Sequence, residues 1–438
     1  MTNWNVVCRI GDDDDYAAPS PHLIIPFDQD GRSTVAANRV FHTLAGNNLY
    51  PSRIVNDLLM LALAVYTADL RISRAFGMDR WSREITVHLP VFNPDLWRGV
   101  EPHLAETLGF LSGDNWHFEF RERPEPVGQD QADPPERQID KVALFSGGLD
   151  SFVGAVDLLE GTEDIVALVG QYGAGSTHPS QEGTHAILNE AFPDRTIRMG
   201  FWVQPSSTED RSGEDTMRSR SFLFLALGTA VAASSSDGVP LYVAENGLIS
   251  LNVPLTPARM GSFSTRTTHP FFVDSFRIFL DILGISTPLV LPYRFHTKGE
   301  MVQDTKNPYV TGKGLPLTLS CSRPDAGRFD KRPPGTHCGY CVPCIIRLAS
   351  MKAAGISTKD AAYYDIVRGG ASPKTAKGRD RRAFELGITR TRSLSRLGLV
   401  GEVTAAGPLP DEDVSELADV YLRGIEEVAD FLKIKRSR

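Results

Sequence analysis

Six consecutive residues, Ser146-Gly147-Gly148-Leu149-Asp150-Ser151, bring together the groups that hold a phosphate. They follow a short apolar run, Lys141 to Phe145, and open a stretch with helical spacing. A strand entering a Ser-Gly-Gly turn lets the backbone fold tightly and bring its N–H groups close to an anion. The two serines add hydroxyls, and the helix start adds the positive end of a dipole. The lysine of a GxxxxGK[ST] loop is absent, so this is a phosphate cradle of another kind. The alternative is a tight strand-to-helix turn capped by Asp150. Five fixed positions of this kind match by accident in about one chain in a thousand.

A second set of residues suits a metal. Of five cysteines, four lie between Cys321 and Cys344: Cys321, then Cys338-Gly339-Tyr340-Cys341-Val342-Pro343-Cys344. Three cysteines at three-residue spacing wrap around one ion, with Cys321 as the fourth ligand. Four thiolates match a closed, structural Zn²⁺ site; an iron–sulfur cluster takes the same donors. Cys8 stands alone and reads as a small buried hydrophobe. In a reducing cytoplasm, the expected location, such a cluster holds metal rather than disulfides.

The elements that must position these residues alternate strand and helix. After the Gly-rich turn, a helix is expected over about Asp150–Glu160, a strand over Ile165–Gly170 and a helix over Gln181–Ala191. A long apolar helix, Ser221–Ala233, and a strand, Pro240–Ala244, follow. Short apolar strands between helices predict an α/β fold with a doubly wound parallel sheet. Residues 1–123 read as an N-terminal α/β region, with helices over Asn56–Ala75 and Asp95–Leu111 and strands over Glu84–Val91 and Trp116–Arg121. Residues 124–138 have a linker composition. The main domain then spans 139–373, with the metal element at 321–347, and a charged helical extension runs over 374–438, ending in a helix at Asp411–Lys433. Asp12–Asp15 reads as a solvated acidic loop.

A formal net charge of -8 argues against a general nucleic-acid coat. The longest apolar run, Ser221–Ala233, is too short to cross a bilayer. The N-terminus lacks a basic end followed by an apolar stretch, so no secretory signal is expected. The expected surroundings are therefore cytoplasmic, with neither membrane nor nucleic acid as partner.

The SGGLDS run resembles the SGGxDS signature of PP-loop ATP pyrophosphatases, which belong to the adenine-nucleotide hydrolase-like α/β folds. Those enzymes cleave ATP between the α- and β-phosphates, transfer AMP to a substrate oxygen and release the pyrophosphate held by this loop. The C-x(n)-C-G-x-C-x-x-C element followed by Arg347 is similar to the zinc element of the 7-cyano-7-deazaguanine synthases, the QueC-like family. Here the first gap is 16 residues and carries Arg323, Arg328, Lys331 and Arg332. Arg218-Ser219-Arg220-Ser221 resembles the family's arginine at a helix start, and Lys298-Gly299-Glu300-Met301 its phosphate-reaching lysine. The resemblance thus implies Ser146–Ser151 for ATP, Asp150, Lys298 and Arg220 for catalysis, and Mg²⁺ and Zn²⁺ as cofactors.

Two segments depart from the family. Gln171-Tyr172-Gly173 and His178 stand where an acidic residue is expected, and the substrate segment is replaced by Glu245-Asn246-Gly247 to Asn252 and a polar run, Arg259 to Pro270. That run reads as a substrate-binding or surface loop. With the added N-terminal region, these departures resemble the QatC branch, linked to bacterial anti-phage defence. The implied activity is adenylation of a carboxylate, such as 7-carboxy-7-deazaguanine, followed by transfer to an amine. The amine is ammonia or a partner protein's N-terminus, with other defence-system subunits as further partners. Two rival expectations stay open: a tRNA-modifying PP-loop enzyme and a silent nucleotide-binding scaffold.

Overall fold

The structure is a computed structural model that describes residues 2–11, 13–27, 39–77, 79–123, 138–173, 175–205, 214, 218–256, 266–324, 335–357 and 374–435. Most of the expected linker, Arg259 to Thr265 of the polar run, and Arg328, Lys331 and Arg332 lie outside the described residues.

The N-terminal region holds a four-stranded sheet: β1 (Asn3–Ile10), β2 (His22–Phe27), β3 (Glu84–Val91) and β4 (Asn115–Glu122), in the order β2-β1-β3-β4 and parallel throughout. Helix α1 (Val40–Ala45) and the long α2 (Arg53–Arg71) link β2 to β3, and α3 (Pro94–Ser112) links β3 to β4. The period-2 pattern of β4 explains its role: Trp116, Phe118 and Phe120 face the core while His117 and Glu119 face out. Helix α3 starts where the Asn93 side chain accepts the Leu96 N–H at 3.2 Å, with Pro94 behind it, and ends at Gly113 in the left-handed region. Cys8 is fully buried in this core, as expected. The acidic run departs from a purely solvated loop. Asp13 and Asp15 are exposed, but Asp14 turns inward, accepting the Ile10 N–H at 2.9 Å and pairing with Arg121.

The second sheet has five parallel strands, β5 (Lys141–Leu144), β6 (Val166–Tyr172), β7 (Thr196–Trp202), β8 (Leu241–Tyr242) and β9 (Leu289–Val290), in the order β7-β6-β5-β8-β9. Alternate side chains serve opposite faces. Ala143, Phe145, Val166 and Leu168 pack with α4 (Leu149–Glu160) and α5 (Thr177–Ala191). Val142, Leu144, Ala167 and Val169 pack with the apolar α6 (Arg220–Ser235). Helices therefore cover both faces, the arrangement that near-continuous apolar strands demand. The strand order reverses between β5 and β8, and crevices for ligands open at the carboxyl ends of strands at such a point.

The two sheets share one core. Helices α2 and α3 lie against α6 and α8 (Pro270–Ile282), and the rings of Trp97 and Phe279 sit 6.1 Å apart. Beyond α7 (Gly247–Leu251), the chain adds α9 (Lys298–Gln303), α10 (Pro308–Gly314), α11 (Val342–Ala353), α12 (Arg379–Ser393), α13 (Arg396–Thr404) and α14 (Val414–Leu432). A separate apolar cluster joins α7 and α11 to α12, α13 and α14. Among the described residues, no helix is long and apolar enough to cross a membrane.

Candidate functional site

The Ser146–Ser151 turn lies at the reversal point, between the end of β5 and the start of α4. Its shape is set by Gly147, whose φ is +77°; a Cβ there would lie 3.0 Å from the Gln181 nitrogen. The turn is braced from outside. Its Gly147 carbonyl accepts from Leu319 N and Ser180 Oγ, both at 2.8 Å, and Leu149 N donates to Ser320 Oγ at 3.1 Å. Ser146 and Ser151 hydroxyls lie 3.1 Å apart, facing a cavity of about 390 Å³.

Asp150 does not cap the helix. Gly148 is the N-cap residue, and no side-chain cap bond is made. Instead Asp150 Oδ1 pairs with Lys298 Nζ at 3.0 Å, and Asp150 Oδ2 accepts from Asn246 Nδ2 at 2.8 Å. The sequence places Lys298 148 residues from Asp150; the fold brings them into contact. Lys298 is only 3% exposed, so its charge needs that partner.

The start of α9 fixes Lys298. Thr297 and Glu300 form a reciprocal capping box, with Glu300 N donating to Thr297 Oγ1 at 3.0 Å and Thr297 N to Glu300 Oε2 at 2.9 Å. Glu427 of α14 then accepts Gly299 N at 3.2 Å and the Thr297 hydroxyl, while Arg423 grips Glu300. A carboxylate at a helix start complements its dipole. Burial pushes the Glu427 carboxyl up to about 6. The charged C-terminal extension thus positions a residue of the cavity.

Arg220, at the start of α6, is held by Gln171: its Nε donates to Gln171 Oε1 at 2.6 Å and its Nη2 to the Gln171 carbonyl at 3.3 Å. Gln171 stands where the resemblance expects an acid, and a neutral amide orients the guanidinium without neutralising it. Burial draws the Arg220 pKa down. Among the described residues, no carboxylate forms an ion pair with Arg220, and it lines the cavity. His178 does not join it; its ring packs 4.2 Å from that of Tyr172, and its Nδ1 lies 3.5 Å from Glu182.

The described part of the polar run, 266–270, divides between the cavity and its surroundings. Thr267 and Thr268 line the cavity. Arg266 turns away, its guanidinium 4.3 Å from the Phe110 ring centre and donating to the Phe110 carbonyl at 2.8 Å. His269 caps α8 and is fully buried, with burial driving its pKa down to about 3, so it is a neutral structural group. Glu245 also lines the cavity, one residue before Asn246. Burial and the Asp150 charge raise its pKa well above the ordinary value. The sequence marks the Glu245-Asn246 segment as unusual but assigns neither residue a role.

The cysteine cluster forms the adjoining wall. The sulfurs of Cys321, Cys338, Cys341 and Cys344 all lie within 4.8 Å of one another, with Cys321–Cys341 and Cys338–Cys344 at 4.0 Å. Tetrahedral ligation at 2.3 Å separates sulfurs by about 3.8 Å, so the four can hold one metal ion. Backbone N–H groups of Arg323, Cys338 and Cys341 point at sulfurs at 3.3–3.4 Å. Ser320, directly before Cys321, is the residue that accepts from Leu149. Arg347, fully buried, donates to Thr318 Oγ1 at 2.7 Å and to the Leu315 carbonyl at 2.8 Å, securing the same strap. Arg323, in the gap between cysteines, instead lies 6.0 Å from the Tyr340 ring centre. Compared with protein-family models, curated proteins and solved structures, the chain matches none of them.

Proposed function

We propose that this protein is an ATP-dependent C–N ligase of the PP-loop, QueC-like kind, acting in the anti-phage branch of that family. The observation that carries the reading is the convergence of the Ser146–Ser151 turn, Lys298 and Arg220 on one cavity at the sheet's reversal point. ATP would lay its phosphates against the turn, with the hydroxyls of Ser146 and Ser151 and the Lys298 ammonium as donors. A substrate carboxylate, that of 7-carboxy-7-deazaguanine or a related deazapurine, then attacks the α-phosphorus and pyrophosphate departs. An amine attacks the acyl carbon of the resulting adenylate and AMP leaves.

The chain supplies position and charge, with no protein nucleophile required. Arg220, unneutralised beside Gln171, is oriented to bind phosphate or carboxylate in bidentate fashion. Apolar Leu144, Leu225 and Ile249 offer a dry wall for a flat ring. Asp150 with the loop hydroxyls would hold Mg²⁺, whose contribution is to offset charge at the bond being cleaved. The four cysteines would hold Zn²⁺; with every donor position filled it is structural and braces the turn through Ser320.

Incubation with ATP, Mg²⁺ and 7-carboxy-7-deazaguanine should yield AMP and pyrophosphate, and binding without turnover over a panel of carboxylates would overturn the ligase reading. Mass spectrometry of a co-expressed partner separates a protein N-terminus, seen as a deazapurine-sized adduct, from ammonia as the amine. Metal analysis should return one colourless zinc per chain; bound iron with visible absorbance would favour a sulfur-transferring tRNA-modifying enzyme instead.

A further inference from the structure

We infer that a second anion site, built for a phosphate group, lies where the N-terminal region meets the C-terminal extension. The inference stands apart from the ligase reading. A cavity of about 280 Å³ opens there, bounded by the end of α3, the segment after α7 and the turn after α13. Its volume is near the small end of ligand cavities. Among the described residues, it shares no lining residue with the cavity at the Ser146–Ser151 turn.

Two arginines line this space, and both are set in the same way. The Arg218 guanidinium lies 4.3 Å from the Trp81 ring centre and donates through Nη1 to the Ser112 carbonyl at 2.7 Å. The Arg266 guanidinium lies 4.3 Å from the Phe110 ring centre and donates through Nη1 to the Phe110 carbonyl at 2.8 Å. One face on a ring and one N–H on a fixed carbonyl hold each guanidinium plane in place. Among the described residues, no acidic side chain lines the cavity.

Cations are favoured at a helix C-terminus, so capping α3 accounts for one N–H of each arginine. It does not account for the rest of Arg266. Among the described residues, Arg266 forms no ion pair, and its Nε and Nη2 donate to nothing. Burial draws its pKa down, with no acid opposing the shift. The open side of that fork is what a planar pair of oxygens fits. Two guanidinium planes in one small cavity match a phosphate, which offers three acceptor oxygens and a charge of about -1.5 to -2. A carboxylate, with two oxygens and one charge, fills a single fork.

The site also adjoins the first cavity through the chain. Arg266 is followed directly by Thr267 and Thr268, which line the cavity at the Ser146–Ser151 turn. Asn252 ends α7, whose Ile249 lines that cavity as well. Occupancy is thereby placed one residue from the rim of the other cavity.

Inorganic phosphate and ribose 5-phosphate would be titrated calorimetrically into the purified full chain, with acetate as the carboxylate probe. Arg266→Gln should weaken phosphate binding at this site about 10–100-fold, the loss of a hydrogen bond to a charged group. Arg266→Lys keeps the charge without the fork, should fall between, and decides the matter alone if Arg266→Gln does not fold. The Ser146–Ser151 turn is a second place for phosphate, so Ser151→Ala would be titrated in parallel and should keep the binding that depends on Arg266. Tighter binding of the ester than of the free ion supports a phosphate monoester as the ligand, and the reverse order supports phosphate itself. Unchanged phosphate affinity in both Arg266 variants, or binding lost only in Ser151→Ala, would overturn the site. Acetate binding as tightly as phosphate, with the same dependence on Arg266, would overturn the assignment to phosphate.

Discussion

Two clusters of opposite charges lie inside this protein, and they are finished differently. In the N-terminal region, Arg83 reaches Asp69 and Asp114, each at 2.6 Å, and Arg74 joins Asp114 at 2.9 Å. Arg83 also donates to the backbone carbonyls of Asp69 and Ile72, at 2.9 and 2.6 Å. Asp69 then accepts from Ser219 N and Oγ, tying α2 to the start of α6 next to Arg220. Buried charges so thoroughly bonded have nothing left to offer a ligand; they hold two layers in register. In the crevice, by contrast, Asp150 pairs with a single lysine while Glu245 lines the same cavity, and an arginine rests on a neutral amide. Such incomplete compensation costs stability and leaves charge available to a substrate.

The pKa shifts have opposite signs. Burial acts to raise Asp114, but the hydrogen bonds and charges of Arg83 and Arg74 prevail and hold it below its ordinary value. Its folded-state pKa is depressed, so its contribution is present above the unfolded pKa and lost as pH falls through the folded one. Glu245 is raised, so its folded state prefers the proton; that contribution is present at low pH and lost as pH rises through the folded pKa.

The largest test breaks the saturated cluster. Arg83→Met removes the cation that bonds both Asp69 and Asp114 and should cost about 3–5 kcal/mol, read from denaturant unfolding; unchanged stability would erase the contrast. Asp150→Ala should reduce pyrophosphate release by about 10²–10³-fold, with a smaller stability loss than Arg83→Met. Ser320→Ala removes one hydrogen bond to the loop and should cost about 1 kcal/mol, read as a rise of several-fold in the KM for ATP with zinc content unchanged. The smallest effect concerns Glu245→Gln, which should raise the unfolding midpoint relative to wild type at pH 8 and leave it nearly equal at pH 4. A variant that is less stable at both pH values would make Glu245 a structural group like Asp114.

The local patterns carried much of the fold. The alternation of Glu84–Val91 and Trp116–Arg121 and the apolar runs of β5 and β6 are strands, and the helix expected over Asp95–Leu111 is α3. Strands β1 and β7 escaped because Asn5, Arg9, Arg198 and Gly200 interrupt their apolar character, and what fixes them is pairing with a neighbour. Helices α12 and α13 fall within the helical extension expected over 374–438, but the sequence did not give their bounds. Their apolar stripe, including Phe384 and Ile388, is identifiable as core only once α14 lies against it.

By itself the sequence determined the turn at Ser146–Ser151 and the four-cysteine set, because both depend on residue types at close spacing, where backbone geometry is nearly forced. Only the tertiary structure decided what surrounds them. It set Lys298 on Asp150 across 148 residues, Ser320 beneath the loop and Glu427 on the start of α9. It also turned Gln171 toward Arg220 and brought Glu245 into the same cavity as Asp150. Those contacts arise from parallel strands brought side by side by their crossover helices, and the distance along the chain between partners carries no trace of them.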